Sequence, residues 1–262
     1  EGNCKNGIGT YVWENGNQYE GHWTNGELNG LGIIVFSNGN RYEGGFKSGS
    51  FEGQGTFYYA NGTVFTGNYS SGKMNGLGKT VWSDSSFYEG NFTEGYRQGH
   101  GVYMYSNGNK YDGEWMENKK QGAGIMYYAE GKIYDGNWNN DNMEGNGILK
   151  FKDGSVYEGE FIDGMRNGRG KFTWVDGDVY DGEWVNNMRS GKGVFYYVNG
   201  EKYEGDFVNG TLEGTGTMYR VDGGKYVGNW KNNKPSGEGI YYYPDGKKIS
   251  GTWKDGELIG EE

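Results

Sequence analysis

Tyr157-Glu158-Gly159-Glu160-Phe161-Ile162-Asp163-Gly164-Met165-Arg166-Asn167-Gly168-Arg169-Gly170 is one copy of a pattern that fills the chain. With Tyr157 as position one, the frame restarts every 23 residues, at Tyr19, Tyr42, Phe65, Tyr88, Tyr111, Tyr134, Tyr157, Tyr180, Tyr203, Tyr226 and Ile249. A partial repeat (1–18) precedes ten complete repeats (19–248), and a half repeat (249–262) follows. Self-similarity at a fixed period is the mark of a solenoid or array.

Inside the frame, position three is always Gly and position five always aromatic, from Trp23 to Trp253. Positions twelve and fourteen are Gly, and position eighteen is aromatic except at Arg220. Positions twenty and twenty-one are usually Asn-Gly or Asp-Gly, with Ser85 the exception at the second. The internal period is two, which means strands. Positions one, three and five share one face of a first strand. Positions fourteen, sixteen and eighteen share one face of a second. Asn-Gly or Asp-Gly then turns the chain into the next repeat. A two-residue turn there would pair position seventeen with the next position one and put the aromatic sets on opposite faces. A three-residue turn, with Gly last and left-handed in a G1 bulge, pairs sixteen with one and fourteen with three. All rings then lie on one face, so that turn is expected.

Glycines beside the rings leave room for each ring to stack on its neighbour one repeat along, in offset fashion. A lone hairpin is marginal, and a row of hairpins shares one ring-lined seam. The expected fold is all-β: an elongated twisted antiparallel ribbon of about 22 strands, on the order of 100 Å long at ~4.8 Å per strand.

Tyr-Glu-Gly-x-Trp-x-x-Gly, then Gly-x-Gly, then Asn/Asp-Gly resembles the MORN (membrane occupation and recognition nexus) repeat. The likeness covers nearly the whole chain; Phe65-Thr66, Ser85, Tyr226-Val227 and Ile249-Ser250 depart from it. Such arrays occur in junctional membrane proteins, plant lipid kinases, ciliary radial-spoke heads and protozoan cytoskeletal scaffolds. The resemblance implies a protein-binding, dimerising module.

Composition narrows the chemistry. There are 54 Gly, 2 Pro and 17% aromatics in 262 residues, so this is a patterned chain and not a disordered linker. A net charge of −10 disfavours nucleic acid and anionic lipid on average. Cys4 is the one cysteine, so no internal disulfide can form, which fits a reducing compartment. The Asn-x-Thr sequons at Asn61 and Asn91 are expected by chance in so Asn-rich a chain. No apolar run is long enough to span a membrane as a helix. No signal peptide is visible, and a start at Glu1 suggests a piece of a longer protein.

No catalytic, cofactor or metal residue is expected. His22 and His100 occupy unrelated repeat positions and read as surface residues. Gly72 to Thr80 imitates a phosphate loop but puts five residues, not four, between its glycines. The acids at position two (Glu20, Glu43, Glu89, Asp112, Asp135, Glu158, Asp181, Glu204) make a solvated stripe on the back face.

Two features are less bland. Positions nine to fifteen, read as a loop edge, carry Lys119, Lys120, Arg166, Arg169, Lys171, Arg189 and Lys192 in the later repeats, against Leu28, Phe51 and Met74 in the early ones. The back of the second strand is apolar, with Ile33, Val35, Tyr58, Val81, Val102, Met104, Ile125, Tyr127, Val194, Tyr196, Ile240 and Tyr242. Such a strip marks a partner surface or a homodimer contact. The reading is a non-catalytic scaffold that holds a helix or extended segment of a protein partner in its aromatic groove. The expected contact rings are Trp115, Tyr128, Trp138, Trp174, Trp184 and Tyr197. The alternatives are a membrane tether through the basic edge, or a regulatory appendage of an enzyme outside this chain. Asn- and Lys-rich usage points to an AT-rich protist genome, and with it to a cytoskeletal, ciliary or cortical setting.

Overall fold

The computed structural model describes residues 4–261. It contains 23 strands and, among the described residues, no helix. Each repeat supplies a seven-residue strand and a nine-residue strand, as in Val156–Ile162 and Met165–Thr173. The chain divides into two compact units, residues 1–129 with 139–141 and residues 130–138 with 142–262. In the first unit each strand from Asn6–Val12 to Lys119–Tyr127 pairs antiparallel with the next. In the second the same holds from Asn142–Lys150 to Glu257–Glu261.

The expected turn between repeats is present. Phe172 pairs with Tyr180 and Gly170 with Gly182, which is sixteen with one and fourteen with three. Gly177 donates its N–H to the Trp174 carbonyl at 3.0 Å, and Trp174 donates to the Asp178 carbonyl at 2.9 Å. Gly177 sits at φ 99°, which a side chain adopts only with strain. The Asp or Asn at position twenty accepts the N–H of position twenty-two, as Asp176 does from Asp178 at 3.2 Å.

The second hairpin corrects the sequence reading. Positions nine to fifteen are not a loop edge; they begin the long strand, which runs from nine to seventeen. The two-residue turn at positions seven and eight is the tight one, and Asn186 and Asn187 both have positive φ there, as a type I′ turn requires. Position eighteen, expected inside the strand, opens the connection to the next repeat.

The glycines also have a more local reason than expected. The register shifts at position four, where Glu160 stands opposite three residues of the long strand, Asn167, Gly168 and Arg169, in the seventh complete repeat. The Tyr157 ring folds back over Gly159 and Gly170, and its hydroxyl donates to the freed Glu160 carbonyl at 3.0 Å. A Cβ on Gly170 would lie 2.5 Å from the Tyr157 ring atoms. The room serves the repeat's own tyrosine. Between neighbouring repeats the core rings at positions one and five meet edge-to-face, as Tyr157 meets Trp184 at 5.3 Å and 83°, while the stacking expected appears at Trp82 on Tyr103 at 5.2 Å and 30°. The Trp184 indole N–H donates to the Gly170 carbonyl of the preceding repeat at 2.9 Å.

Both margins of the sheet are stitched repeat to repeat. At the tight turn, Asn187 donates to the Arg166 carbonyl at 3.0 Å, and Asn186 to Asn167 Oδ1 at 3.3 Å. In the first unit the equivalents are Gly49 to the Leu28 carbonyl at 3.0 Å and Ser48 to Asn29 Oδ1 at 3.2 Å. On the other margin Ala60 donates to Asn40 Oδ1 at 2.9 Å. A one-residue insertion would break all of these bonds in its repeat, which explains an invariant period.

Candidate partner-binding face

The ring face has two aromatic columns of different exposure. Positions one and five are core: Tyr157 and Tyr180 are 0% exposed, and Trp115, Trp138 and Trp184 are 3%, 4% and 3% exposed. Position eighteen is half-buried, and Tyr128, Trp174 and Tyr197 belong to it. The six expected contact rings thus divide evenly between core and surface. In the second unit Trp184, Trp174 and Tyr197 come together through the position-sixteen rings. Phe172 lies 6.1 Å from Trp184 and 4.5 Å from Trp174, and Phe195 lies 5.3 Å from Trp174 and 4.5 Å from Tyr197. Trp138 packs on Tyr134 at 5.2 Å. In the first unit Trp115 packs on Tyr88, Tyr103 and Tyr111, and Tyr128 stands at the half-buried position.

The basic residues do not form one edge. Position ten faces the rings, because the tight turn pairs it with position five, as Arg166 with Phe161. The Arg166 guanidinium lies 4.5 Å from the Trp184 ring centroid and donates from Nη2 to the Asn187 carbonyl at 2.9 Å. Arg97 repeats this on Trp115 at 4.3 Å and the Asn118 carbonyl at 2.7 Å. Arg189 sits 5.0 Å from Phe195 and donates to the Gly210 carbonyl at 2.6 Å. Lys120 lies 5.7 Å from the Tyr111 ring. Burial pushes the pKa of all four cations down. Arg169, Lys171 and Lys192 sit at odd positions thirteen and fifteen, on the opposite face, where Lys192 pairs with Asp206 at 2.6 Å. A membrane would have to meet both faces at once, so the basic-edge tether lacks its edge. Ring-face arginines were missed because positions nine to fifteen were read as loop; the in-register partner of position five was the available signal.

Small side chains on this face leave niches between successive position-eighteen rings. One in the first unit, about 350 Å³, is lined by Tyr59, Trp82, Met74, Thr80 and Arg97 among others. Its counterpart in the second unit, about 460 Å³, is lined by Phe151, Trp174, Phe172, Trp184, Arg166 and Arg189 with neighbouring turn residues. The two use homologous positions, four repeats apart in sequence.

The back face is less open than its sequence suggests. Val35, Tyr127 and Tyr196 are exposed at 41%, 37% and 47%. Several position-seventeen rings nevertheless carry a cation from the strand opposite: Arg41 on Tyr58 at 5.1 Å, Lys110 on Tyr127 at 5.2 Å, Lys202 on Tyr219 at 4.2 Å and Lys225 on Tyr242 at 5.0 Å. The acidic stripe is partly matched too, as Lys79 to Glu89 at 3.0 Å and Lys202 to Glu204 at 3.3 Å. Among the described residues no group of three or more His, Cys, Asp or Glu could hold a metal ion. His100 faces Asp112 at 3.1 Å, and the stretch that imitates a phosphate loop lies largely in the strand Lys73–Val81. Among the described residues no helix is long and apolar enough to cross a membrane.

Tandem hairpins with a buried ring column and a half-open one define a repeat-built β scaffold. The MORN repeat matches residues 5–18, 19–41, 42–64, 65–87, 88–110, 111–133, 134–156, 157–179, 180–202, 203–225 and 226–248, and the chain belongs to that family. No curated protein matches it. Among solved structures it is similar to the TCP10 domain of Danio rerio CPAP in complex with a peptide of STIL, at 14% identity and TM-score 0.41, covering 97% of this chain and 98% of that one. It is also similar to the TCP domain of Drosophila melanogaster SAS-4 in complex with a proline-rich motif of Ana2, at 16% identity and TM-score 0.37, covering 58% and 83%. A streptogramin B lyase aligns at 11% identity and TM-score 0.17, covering 95% and 84%.

Proposed function

We propose that this protein is a non-catalytic scaffold that seats a helix or extended segment of a protein partner along its ring face. The half-buried column at position eighteen carries the reading. Where position sixteen is aromatic, its ring holds the position-eighteen ring, which keeps one face toward solvent, as Trp174 does between Phe172 and Phe195. Rigid aromatic anchors beside small niches are what segment recognition in a groove uses. The cations over the back-face rings favour the ring face over the back. A cytoskeletal or ciliary setting is proposed with it, from the family resemblance.

The test is quantitative affinity capture from the native source with the wild type, a Trp174→Ala/Tyr197→Ala double variant and a back-face Tyr127→Ala/Tyr196→Ala double variant, each with its thermal melt. The ring-face variant is expected to melt within a few degrees of wild type and to lose the captured partner, while the back-face variant keeps it. Retention by the ring-face variant and loss by the back-face variant would move the site to the apolar strip.

A further inference from the structure

The geometry points to an acidic segment as the ring-face ligand: a partner peptide whose carboxylates meet the position-ten arginines while its apolar side chains enter the niches between position-eighteen rings. This rests on the proposed partner-binding role and names the chemistry of the partner.

The chain carries 35 acidic and 25 basic residues, so a cation here has many carboxylates to choose from. Arg97, Arg166 and Arg189 nevertheless form no ion pair with any described residue. Each instead lies on aromatic rings and spends part of its guanidinium on a backbone carbonyl. Asp141 and Asp178 act on Arg97 and Arg189 only from beyond ion-pair distance, and rings return only a fraction of what a cation loses on leaving water. Arg166 uses Nε and Nη2 on Asn187, which leaves Nη1 without a protein partner, and Arg189 uses Nη2 alone. These open N–H groups border one niche, where Phe151 and Trp174 are half-buried and Phe172 and Trp184 lie buried beneath. Asp153 is the one carboxylate in that lining, and it accepts the Ser155 N–H at 2.9 Å.

Arg166 and Arg189 occupy the same position of consecutive repeats. One strand lies between theirs, so two strand spacings separate them, roughly 10 Å. A peptide in the polyproline II conformation covers that distance in one turn of three residues at about 3.1 Å each and returns to the same face, so acids at i and i+3 match it, with the intervening side chains free for the niche. Arginine suits this task, since its planar fork engages carboxylates through paired N–H bonds. A flat anionic membrane fits less well: the cations are recessed among rings, and Asp153 and Asp176 sit on the neighbouring turns.

The experiment uses the full chain and two labelled peptides, (Glu-Phe-Leu)4 and (Lys-Phe-Leu)4, in fluorescence anisotropy at low and moderate salt. Phosphatidylserine vesicles are tested beside them by co-sedimentation. The Glu peptide is expected to bind at least tenfold tighter than the Lys peptide, with affinity falling as salt rises. Arg166→Gln/Arg189→Gln is expected to lose at least tenfold for the Glu peptide, and Arg166→Lys/Arg189→Lys to recover part of that loss. If the Gln variant does not fold, the Lys variant and the wild-type preference decide alone. Equal binding of the two peptides, or an unchanged affinity in the folded Gln variant, overturns the inference. Vesicle binding abolished by the Gln substitutions, with no peptide preference, overturns it in favour of lipid. A native partner that is lost on Trp174→Ala/Tyr197→Ala but unaffected by Arg166→Gln/Arg189→Gln leaves the scaffold reading standing and removes this one.

Discussion

Trp174 and Trp184 are ten residues apart in sequence, touch the same Phe172 ring, and do different work. Trp184 is 3% exposed, meets Tyr157 and Tyr180 edge-to-face, and hydrogen-bonds the Gly170 carbonyl of the previous repeat. Trp174 opens a connection, is half-buried, and shows part of its ring to solvent. The first holds repeats together; the second lies on a surface that the fold alone does not require to be aromatic. Arg220 stands at the position equivalent to Trp174, whereas position five never departs from an aromatic. In a repeat array each unit is stable only through its neighbours, so damage to the first kind of ring spreads.

Trp184→Ala should therefore cost the most, about 3–5 kcal/mol, from lost burial and the cavity left behind. Hydrogen exchange should show loss of protection in the flanking repeats as well as its own. Gly170→Ala comes next. It pushes a methyl into the Tyr157 ring with no flexible neighbour to yield, and overpacking of this kind costs about 1–3 kcal/mol. A chemical denaturation curve reads it, and a wild-type curve would show that the tyrosine is not seated as described. Trp174→Ala should cost less than Trp184→Ala, under about 2 kcal/mol, because much of its surface is already in water. Were the two losses equal, the distinction between core and surface columns would collapse.

Alkaline titration examines the tyrosines, the core column among them; burial also pushes the position-eighteen Tyr105 up to about 12. Burial pushes the Tyr88 and Tyr157 hydroxyls up to about 12, against an ordinary value near 10. The folded state then favours the neutral phenol. Stability from these groups is fully present below about pH 10, where both states are protonated, and is lost as pH rises toward 12 and the unfolded chain ionises first. Melting temperatures should be flat up to about pH 9 and fall between pH 10 and 12. Tyrosinate absorbance should appear together with unfolding and not before it for these buried rings.

The fold was legible because one argument about parity sufficed. Only a three-residue turn at the Asn-Gly or Asp-Gly connections brings positions one, five and sixteen to one face, and Phe172 opposite Tyr180 bears that out. What lay beyond the sequence was the tight turn at positions seven and eight. Asn186-Asn187 and Asp163-Gly164 carry the turn residues, but basic and polar side chains after them hid a strand that faces rings with every second residue. That concealed Arg166 and Arg189, which alternation places on the aromatic face and the shifted register sets opposite Phe161 and Trp184. Trp115, Trp138 and Trp184 are buried because position five lies within a strand, paired on both sides at Trp184, whereas Trp174 opens the connection beyond the strand end. Size alone could not separate them; the strand boundary does.

The smallest expected effect is a gain. Phe65 replaces the usual tyrosine at position one and is 1% exposed, seated over Gly67 and Gly78 as tyrosines are in other repeats. In those repeats the hydroxyl reaches the position-four carbonyl, as Tyr42 does to Gly45 and Tyr88 to Asn91, each at 3.0 Å. Phe65 has no hydroxyl to offer the Asn68 carbonyl. Phe65→Tyr adds one oxygen at the place where nine other repeats already hold it, so strain should be slight. A net hydrogen bond of this sort is worth about 0.5–1.5 kcal/mol, and the desolvation of the added hydroxyl pulls toward the lower end. Denaturant midpoints measured on Phe65→Tyr and on the reverse change Tyr88→Phe should move in opposite directions by similar amounts. If Phe65→Tyr destabilises while Tyr88→Phe does so too, the third repeat packs its ring differently from the rest, and the smaller Thr80 at its position sixteen, which lines the first unit's niche, becomes the place to look for the reason.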